Sequence, residues 1–196
     1  MTHLDSHRPR WHLPDLTFGM KPRRLSLLGS KVLGAIVLIF AFLSHDLYTD
    51  GALAEVAFKS IASLLLFSSA MGRCWTTAYI SGKKASVLVQ EGPYSMVRHP
   101  LYVFSLLGYV AAGLAFQSLV ISAAMGLVFF ATHWHNILHE EKCLQQTFGR
   151  EFDDYCSRVP RFLPKPWLLT NPSSISVAPA RFSRTVLESS LLSLVL

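Results

Sequence analysis

Long apolar runs separated by short polar connections organise this chain. Residues 25–43 and residues 52–72 each approach the ~20 apolar residues that a helix needs to cross a bilayer. Residues 101–138 form a third run, which is too long for one crossing and has polar Gln117 and Ser118 near its middle. The pattern predicts four membrane-spanning helices, the last two in a hairpin. A fifth span is predicted if the region before Leu101 or the tail re-enters the membrane.

A second periodicity follows the hairpin, over residues 140–161. Apolar residues recur there at mostly every third or fourth position, which is typical of an amphipathic helix with its charged residues in water. The apolar positions are Leu144, Phe148, Phe152, Tyr155 and Val159. We predict that this helix lies as a lid against the helical bundle.

The composition supports a membrane protein. Half of the residues are apolar (51%) and only 15% are charged, whereas soluble domains carry about a quarter of charged residues. The formal net charge is +6, and its Lys and Arg residues lie in the connections between the apolar runs. This placement favours positive-inside topology and contact with anionic membrane lipids over nucleic-acid binding.

The same charges predict an orientation and a division of the chain. The connection at residues 44–51 has no Lys or Arg, so it is expected to face away from the cytosol. Both termini are then cytosolic, in a bacterial inner membrane or the endoplasmic reticulum. We predict a basic N-terminal segment (residues 1–24), a membrane domain (residues 25–172) and a tail (residues 173–196). Within the second run, Glu55 and Lys59 are spaced i,i+4 and are expected to pair.

Residues 91–102, E-G-P-Y-S-M-V-R-H-P-L-Y, contain the first cluster of candidate functional residues. We call residues 91–102 the polar segment. Pro93 and Pro100 each fix φ, so the chain is expected to turn here and begin a helix at about Pro100. Tyr, Arg and His side chains beside a hydrophobic helix are unusual material for a span or a packed core, which makes them candidates for chemistry.

The second cluster is H-W-H-N-I-L-H-E-E, residues 133–141. His135 and His139 lie on one helical face and could bind a metal together, but a second such motif is missing and we predict no metal site. His133 and His135 are expected at the membrane interface, near a helix end. If the hairpin returns to its starting side, Glu140 is expected to face His99 and Tyr102. Cys74, Cys143 and Cys156 have no C-x-x-C spacing and predict no disulfide framework.

The two clusters together resemble the isoprenylcysteine carboxyl methyltransferase and phospholipid methyltransferase family. The family pattern is roughly G-x-Y-x-x-x-R-H-P-x-Y, followed about forty residues later by E-E-x-x-L-x-x-x-F-G-x-x-Y-x-x-Y-x-x-x-V-P-x-x-x-P. Both halves are present in order, and the likeness covers residues 87–164. It implies an all-α, polytopic membrane bundle whose C-terminal amphipathic helix caps a cytosol-facing pocket.

The resemblance also implies S-adenosyl-L-methionine as the methyl donor and assigns its contacts within residues 86–164. Glu140 would take the amino group of the donor, because a carboxylate suits an ammonium. Aromatic rings favour the cationic sulfur. The remaining donor contacts would be Ser86, Val87, Leu88, Val89, Tyr94, His99, Pro100, Leu101 and Tyr102. No acid–base catalytic residue is assigned, because methyl transfer demands alignment and desolvation more than proton transfer.

The part of the site that would bind the methyl acceptor departs from the family pattern. Asn136 stands where prenylcysteine methyltransferases carry an arginine, so we predict a lipophilic acid, thiol or amine, or a lipid-modified substrate, without choosing among them. Arg98 and Arg161 are candidates for holding an anionic acceptor, beside Asn136. Two alternatives stay open. One is a sterol-type membrane reductase that uses NADPH, and the other is a non-catalytic scaffold or transporter subunit.

Overall fold

The computed structural model describes residues 52–81 and 87–175, with residues 177, 179, 182–183 and 185–187 of the tail. These residues contain helices and no strand, which confirms the predicted all-α class for this part of the chain. The helices are α1 (Ala52–Ser81), α2 (Pro93–Met96), α3 (Pro100–Leu114), α4 (Leu119–Phe148) and α5 (Arg150–Arg158), followed by a 3₁₀ turn at Pro166–Leu168. The run at residues 25–43, the N-terminal segment and most of the tail lie outside the described residues.

Helix α1 combines a lipid-type surface with a close helix contact. Small residues let it approach α3, because a Cβ added to Gly72 would lie 2.1 Å from the Phe104 ring and one added to Gly108 would lie 2.9 Å from Ser69 Oγ. Its outer surface exposes large apolar side chains, among them Leu53, Leu64 and Phe67. Glu55 and Lys59 form the predicted ion pair, on the exposed side.

The number of spans is not confirmed by the described helices. Only one of them, over Leu53–Ser81, is long and apolar enough to cross a membrane by length and composition. Helix α3 is apolar but shorter, with 15 residues, and the last turns of α4 carry the polar residues from His133 to Glu141. The part of the chain that the structure describes therefore contains one helix that meets this criterion, and the count of four or five spans stays a prediction.

Helix α1 is longer than the run of residues 52–72 predicted. Arg73, which directly follows that run, lies inside the helix, and the helix continues to Ser81. Its last turns pack against protein, because the Tyr79 ring lies so close to Gly92 that an added Cβ there would approach it to 2.3 Å. The Tyr79 hydroxyl also donates a hydrogen bond to Asn171 Oδ1 at 3.1 Å. Tertiary contacts thus extend the helix past the apolar run.

The predicted hairpin is confirmed, and its turn lies at the polar pair. Gln117 has a positive φ of 56°. Ser118 caps α4, since its side-chain oxygen accepts a hydrogen bond from the Ile121 amide at 3.3 Å. The Ser122 hydroxyl donates across the hairpin to the Val110 carbonyl at 3.0 Å. These bonds bring α3 and α4 into contact along their length.

Gly113 is the tightest point of the hairpin, and Gly113→Ala is expected to destabilise the protein. An added Cβ would lie 2.3 Å from Ser122 Cα, and backbone atoms cannot move aside as a side chain can, so the cost should be about 1–3 kcal/mol. Gly126→Ala is the matched control, since the nearest atoms to its added Cβ are 4.0 Å away. The unfolding temperature in detergent should be lowered by Gly113→Ala and unchanged by Gly126→Ala. Equal unfolding temperatures for the two variants would contradict this helix contact.

The apolar face predicted for residues 140–161 is confirmed, but it belongs to two helices. Gly149 has a positive φ of 54° and separates α4 from α5. The predicted continuous helix is wrong at this residue, because only glycine adopts that backbone conformation without strain. The apolar residues still meet in one cluster, which consists of Phe152, Tyr155 and Val159 with Leu88, Leu144, Phe148 and Cys156 around them.

Residues 160–171, which we call the strap, run beside the polar segment after α5. Main-chain hydrogen bonds join the two. They run from the Arg98 amide to the Pro160 carbonyl (2.8 Å), from the Lys165 amide to the Met96 carbonyl (3.0 Å) and from the Gly92 amide to the Thr170 carbonyl (2.7 Å). The Thr170 amide also donates to Ser95 Oγ at 3.0 Å. The strap thereby fixes the polar segment against the start of α3.

Candidate functional site

The polar segment places its side chains around the start of α3. The helix begins at Pro100 as predicted, with His99 as its N-cap residue. Pro100 and His99 are both buried, and Leu101 is half-buried. The Tyr94 carbonyl accepts a hydrogen bond from the Tyr155 hydroxyl at 2.8 Å, which ties the segment to α5. The segment therefore has a fixed position between α3, α5 and the strap.

Glu141 is the centre of a partly buried charge cluster that joins the two sequence motifs. Its Oε1 accepts hydrogen bonds from Arg98 Nη1 (3.1 Å), His99 Nε2 (3.1 Å) and Arg161 Nε (2.9 Å), and its Oε2 accepts one from Arg161 Nη2 (2.6 Å). The Glu141 side chain is only 12% exposed. One carboxylate therefore connects α4, the polar segment and the strap.

The partners of Glu141 keep it ionised. Burial by itself would raise the pKa of Glu141, but the hydrogen bonds from Arg161 and His99 outweigh burial and hold that pKa below its ordinary value. The same contact raises the pKa of Arg161. In a neutral His99 ring, Nε2 carries the proton that is donated to Glu141. Every oxygen of this carboxylate is thus used by protein groups.

Glu140, the neighbouring carboxylate, has a different environment. Among the described residues it makes no hydrogen bond and no ion pair, although it is half-buried. It lies near Tyr94, where burial raises the pKa of the phenol and the charge of Glu140 raises it further. A half-buried carboxylate without a protein cation is costly in free energy, so this position favours a cationic ligand.

The structure brings Glu141, and not Glu140, against His99. We had expected Glu140 to face His99 and Tyr102 across the hairpin. Adjacent residues on a helix point about 100° apart, so an argument from the length of the hairpin was too coarse to distinguish them. The E-E pair therefore has one member inside the charge cluster and one member beside Tyr94.

Aromatic rings from α3 and α4 surround the Tyr102 side. The Tyr102 ring meets the rings of His99 at 5.8 Å and His133 at 5.9 Å. His133 stacks on Phe129 at 4.4 Å and its Nδ1 lies 3.0 Å from the Phe129 carbonyl. His133 is buried between these helices, and its predicted location at the membrane interface stays a prediction. Packing against Phe129 accounts for its burial.

The other residues that we predicted to contact the methyl donor are residues 86–89, which precede the polar segment. Ser86 lies outside the described residues. Val87 is exposed, Val89 is buried, and Leu88 packs against the apolar cluster of α5. Residues 87–89 therefore run between α5 and the polar segment.

The predicted acceptor contacts are largely occupied by protein. Arg98 and Arg161 both bind Glu141, and Arg98 Nη1 also lies 3.2 Å from Cys156 Sγ. Arg161 keeps contact with water, since its side chain is 36% exposed. Asn136 is half-buried on α4, one turn before Glu140. The sequence predicted the two arginines as acceptor contacts, and it did not predict their binding to Glu141.

Two aromatic residues at the site were missed by the sequence reasoning. Trp134 stacks on Phe162 of the strap at 6.0 Å, and the Arg161 guanidinium lies 5.8 Å from the Trp134 ring centre. Phe162 also meets His99 at 6.2 Å. A signal was present in the sequence, because Arg161 and Phe162 directly follow the V-P of the second motif.

The histidine pair considered for a metal has one sulfur neighbour. His135 and His139 are exposed, and His139 Nδ1 lies 3.5 Å from Cys143 Sγ. In the described part of the chain, no group of three His, Cys, Asp or Glu side chains is placed to hold a metal ion.

The comparisons with known proteins agree with the motifs. A family model described as phospholipid methyltransferase matches residues 51–151. The nickel-cobalt-cadmium resistance protein NccN of Alcaligenes xylosoxydans xylosoxydans is 35% identical over 81% of this chain and 74% of its own length. The cobalt-zinc-cadmium resistance protein CzcN of Cupriavidus metallidurans is 33% identical over 81% of this chain and 73% of its own length.

A plant enzyme matches a shorter stretch. Protein-S-isoprenylcysteine O-methyltransferase B of Arabidopsis thaliana is 34% identical over 77 residues, which is 39% of each chain. No solved structure matches this chain.

Proposed function

The chain belongs to the phospholipid methyltransferase family, and from that premise we propose that it transfers a methyl group from S-adenosyl-L-methionine to a lipophilic acceptor at a membrane surface. The proposal is carried by the E-E pair of α4. Glu141 is fully engaged by Arg98, His99 and Arg161, whereas Glu140 is half-buried beside Tyr94 with no cation among the described residues. This leaves one carboxylate to hold the shape of the site and one to bind a ligand.

The residues beside Glu140 fit S-adenosyl-L-methionine. The carboxylate would bind the ammonium of its methionine part through a charge-assisted hydrogen bond. The rings of Tyr94 and Tyr102 would favour the cationic sulfur. When bound, this group supplies an electrophilic methyl on a positively charged sulfur.

The protein's part in the reaction would be alignment and exclusion of water. The polar segment is held by the strap and by Tyr155, and His99 is held by Glu141, so the groups around the donor are preorganised. Because His99 and Pro100 are buried, they would exclude water from the part of the site that binds the methyl donor. No side chain needs to act as an acid or a base for the transfer itself.

The acceptor would approach from the side of Arg161 and Asn136. Arg161 is the more exposed of the two arginines and retains Nη1 beyond its two contacts with Glu141. It could attract an anionic head group, while Asn136 contributes an amide without charge. A lipophilic acid, thiol or amine therefore remains the proposed acceptor class, with Arg98 acting mainly through Glu141. Family membership favours methyl transfer over the NADPH reductase and the non-catalytic scaffold.

Calorimetric titration of the purified chain in detergent with S-adenosyl-L-methionine, or with S-adenosylhomocysteine, tests the proposal. We expect saturable binding of both and no binding of NADPH. Binding of NADPH alone would favour the reductase. A chain that is folded by circular dichroism but binds neither methyl compound would contradict the proposal.

We also propose that the methyl transfer serves tolerance of divalent transition metals, because two relatives that match most of this chain are named as metal resistance proteins. In a metal-sensitive bacterial host, expression of the chain should raise the tolerated concentration of cobalt or cadmium. Glu140→Gln should remove that protection at equal expression. Protection that persists with Glu140→Gln would separate tolerance from methyl transfer.

A further inference from the structure

The strap carries an apolar edge that no other described residue covers. Leu163 is 82% exposed, Trp167 is 76% exposed and Leu169 is also exposed. Exposed apolar surface is unfavourable in water, and several large exposed apolar side chains within seven residues of one segment favour a binding surface. The edge therefore needs a partner in the working protein.

The backbone of the strap is compatible with a position of this edge at the membrane–water interface. The amides of Lys165, Leu168 and Leu169 donate to the carbonyls of Met96, Lys165 and Pro166. Pro164 and Pro166 have no amide hydrogen to satisfy. These three amides are thus bonded to protein, and other amides of the strap, including those of Leu163 and Trp167, would meet the water and polar head groups of the membrane interface while the large apolar side chains project outward.

The charges and the position of the edge indicate a lipid surface. Lys165 is exposed between Leu163 and Trp167, and Arg161 lies on the same strap. The strap is bonded to the polar segment directly before the apolar helix α3, so it lies at the level where that helix starts. Tryptophan and basic residues at the end of an apolar helix are typical of the membrane–water interface.

We propose that Leu163, Trp167 and Leu169 insert into the head-group region of an anionic bilayer leaflet, and that this insertion holds the strap, and through it the polar segment, in place. The insertion adds apolar burial and attraction of Lys165 to anionic lipid. The hydrogen bonds of Gly92, Arg98 and Lys165 transmit it to the residues before α3. This inference rests on the strap itself and would stand if the proposed methyl transfer failed.

Fluorescence of Trp167 tests the insertion. The full chain with Trp11, Trp75 and Trp134 replaced by Phe has Trp167 as its only tryptophan. In phosphatidylcholine–phosphatidylglycerol vesicles, acyl-brominated lipid should remove most of its emission, and aqueous acrylamide should remove little. Strong quenching by acrylamide would place the edge in water. Protection from both quenchers would place it against protein, and either outcome overturns the proposal.

Hydrogen exchange tests whether insertion holds the strap. In the same vesicles, Leu163→Glu with Trp167→Glu should speed exchange of the Gly92 and Lys165 amides about tenfold, the factor that corresponds to about 1.4 kcal/mol. Ile175→Glu is the matched control, because Ile175 is also exposed and apolar but lies beyond the strap. Omission of phosphatidylglycerol should produce part of the same acceleration. Unchanged exchange in the double variant would overturn the proposed clamp.

Discussion

Glu140→Gln is expected to weaken binding of S-adenosyl-L-methionine by about a hundredfold. The substitution keeps the size of the side chain and removes its charge, and a hydrogen bond to a charged partner contributes about 1.5–3 kcal/mol. Each 1.4 kcal/mol is about tenfold in affinity. Calorimetric titration of the purified variant would measure the loss.

The fold should tolerate Glu140→Gln, since Glu140 has no ion pair or hydrogen bond among the described residues. Its unfolding temperature should equal or exceed that of the unchanged chain, because a half-buried uncompensated charge has been removed. Glu151→Gln is the control for loss of a carboxylate, since Glu151 is exposed and accepts its hydrogen bond from Gln90. Unchanged affinity in Glu140→Gln would remove Glu140 from the binding site.

Glu141→Gln is expected to destabilise the protein by about 3 kcal/mol, the scale of removing one partner from a buried ion pair. An amide NH₂ would then oppose the Arg161 guanidinium, and Arg98 would lose its carboxylate. Thermal unfolding in detergent, followed by circular dichroism, would measure the effect. An unfolding temperature equal to that of the unchanged chain would contradict a clamping role for Glu141.

The pH dependence of stability should identify the same residue. The pKa of Glu141 is lowered from its ordinary value of 4.5 in the folded protein. Its stabilising contribution is therefore fully present above that value, and it is lost as the pH falls through the lowered pKa. The difference in stability between the unchanged chain and Glu141→Gln should shrink in that acidic range.

These two substitutions separate the roles of adjacent residues. Both variants change Glu to Gln, at adjacent positions on α4. Each therefore serves as the control for the other in expression and purification. The first is expected to remove ligand binding with the fold intact, and the second to weaken the fold. The opposite pattern would assign the clamp to Glu140 and the ligand to Glu141.

Local periodicity and turn chemistry predicted the parts of this structure that depend on near neighbours. The hairpin turn lies at Gln117 and Ser118, α3 begins at Pro100, and the apolar face from Leu144 to Val159 packs as one cluster. Each of these depends on residue types within a few positions. The paired motifs likewise identified the family, because they combine two local patterns with a fixed separation.

The wrong sequence predictions concern features that depend on contacts between residues distant in the sequence. Helix α1 runs past Gly72 because Tyr79 packs on Gly92, a contact that the apolar run does not encode. The positive φ of Gly149 breaks a stretch whose periodicity looked continuous. Adjacent helical residues point about 100° apart, and this rotation decides whether Glu140 or Glu141 contacts His99. The length of the hairpin does not determine the rotation of α4 about its axis. Arg98 and Arg161 both bind Glu141 because the strap runs beside the polar segment. The prolines of the strap predicted an irregular segment but not its course along the protein.

The transfer of label from methyl-labelled S-adenosyl-L-methionine to a bacterial lipid extract tests the central claim most directly. The purified chain, reconstituted in vesicles with the extract, should move label into the organic phase in a time-dependent way. At a donor concentration well below the dissociation constant of the unchanged chain, Glu140→Gln should reduce that rate by about a hundredfold, in line with its loss of affinity. No transfer of label by the folded chain, or equal transfer by Glu140→Gln, would contradict the account.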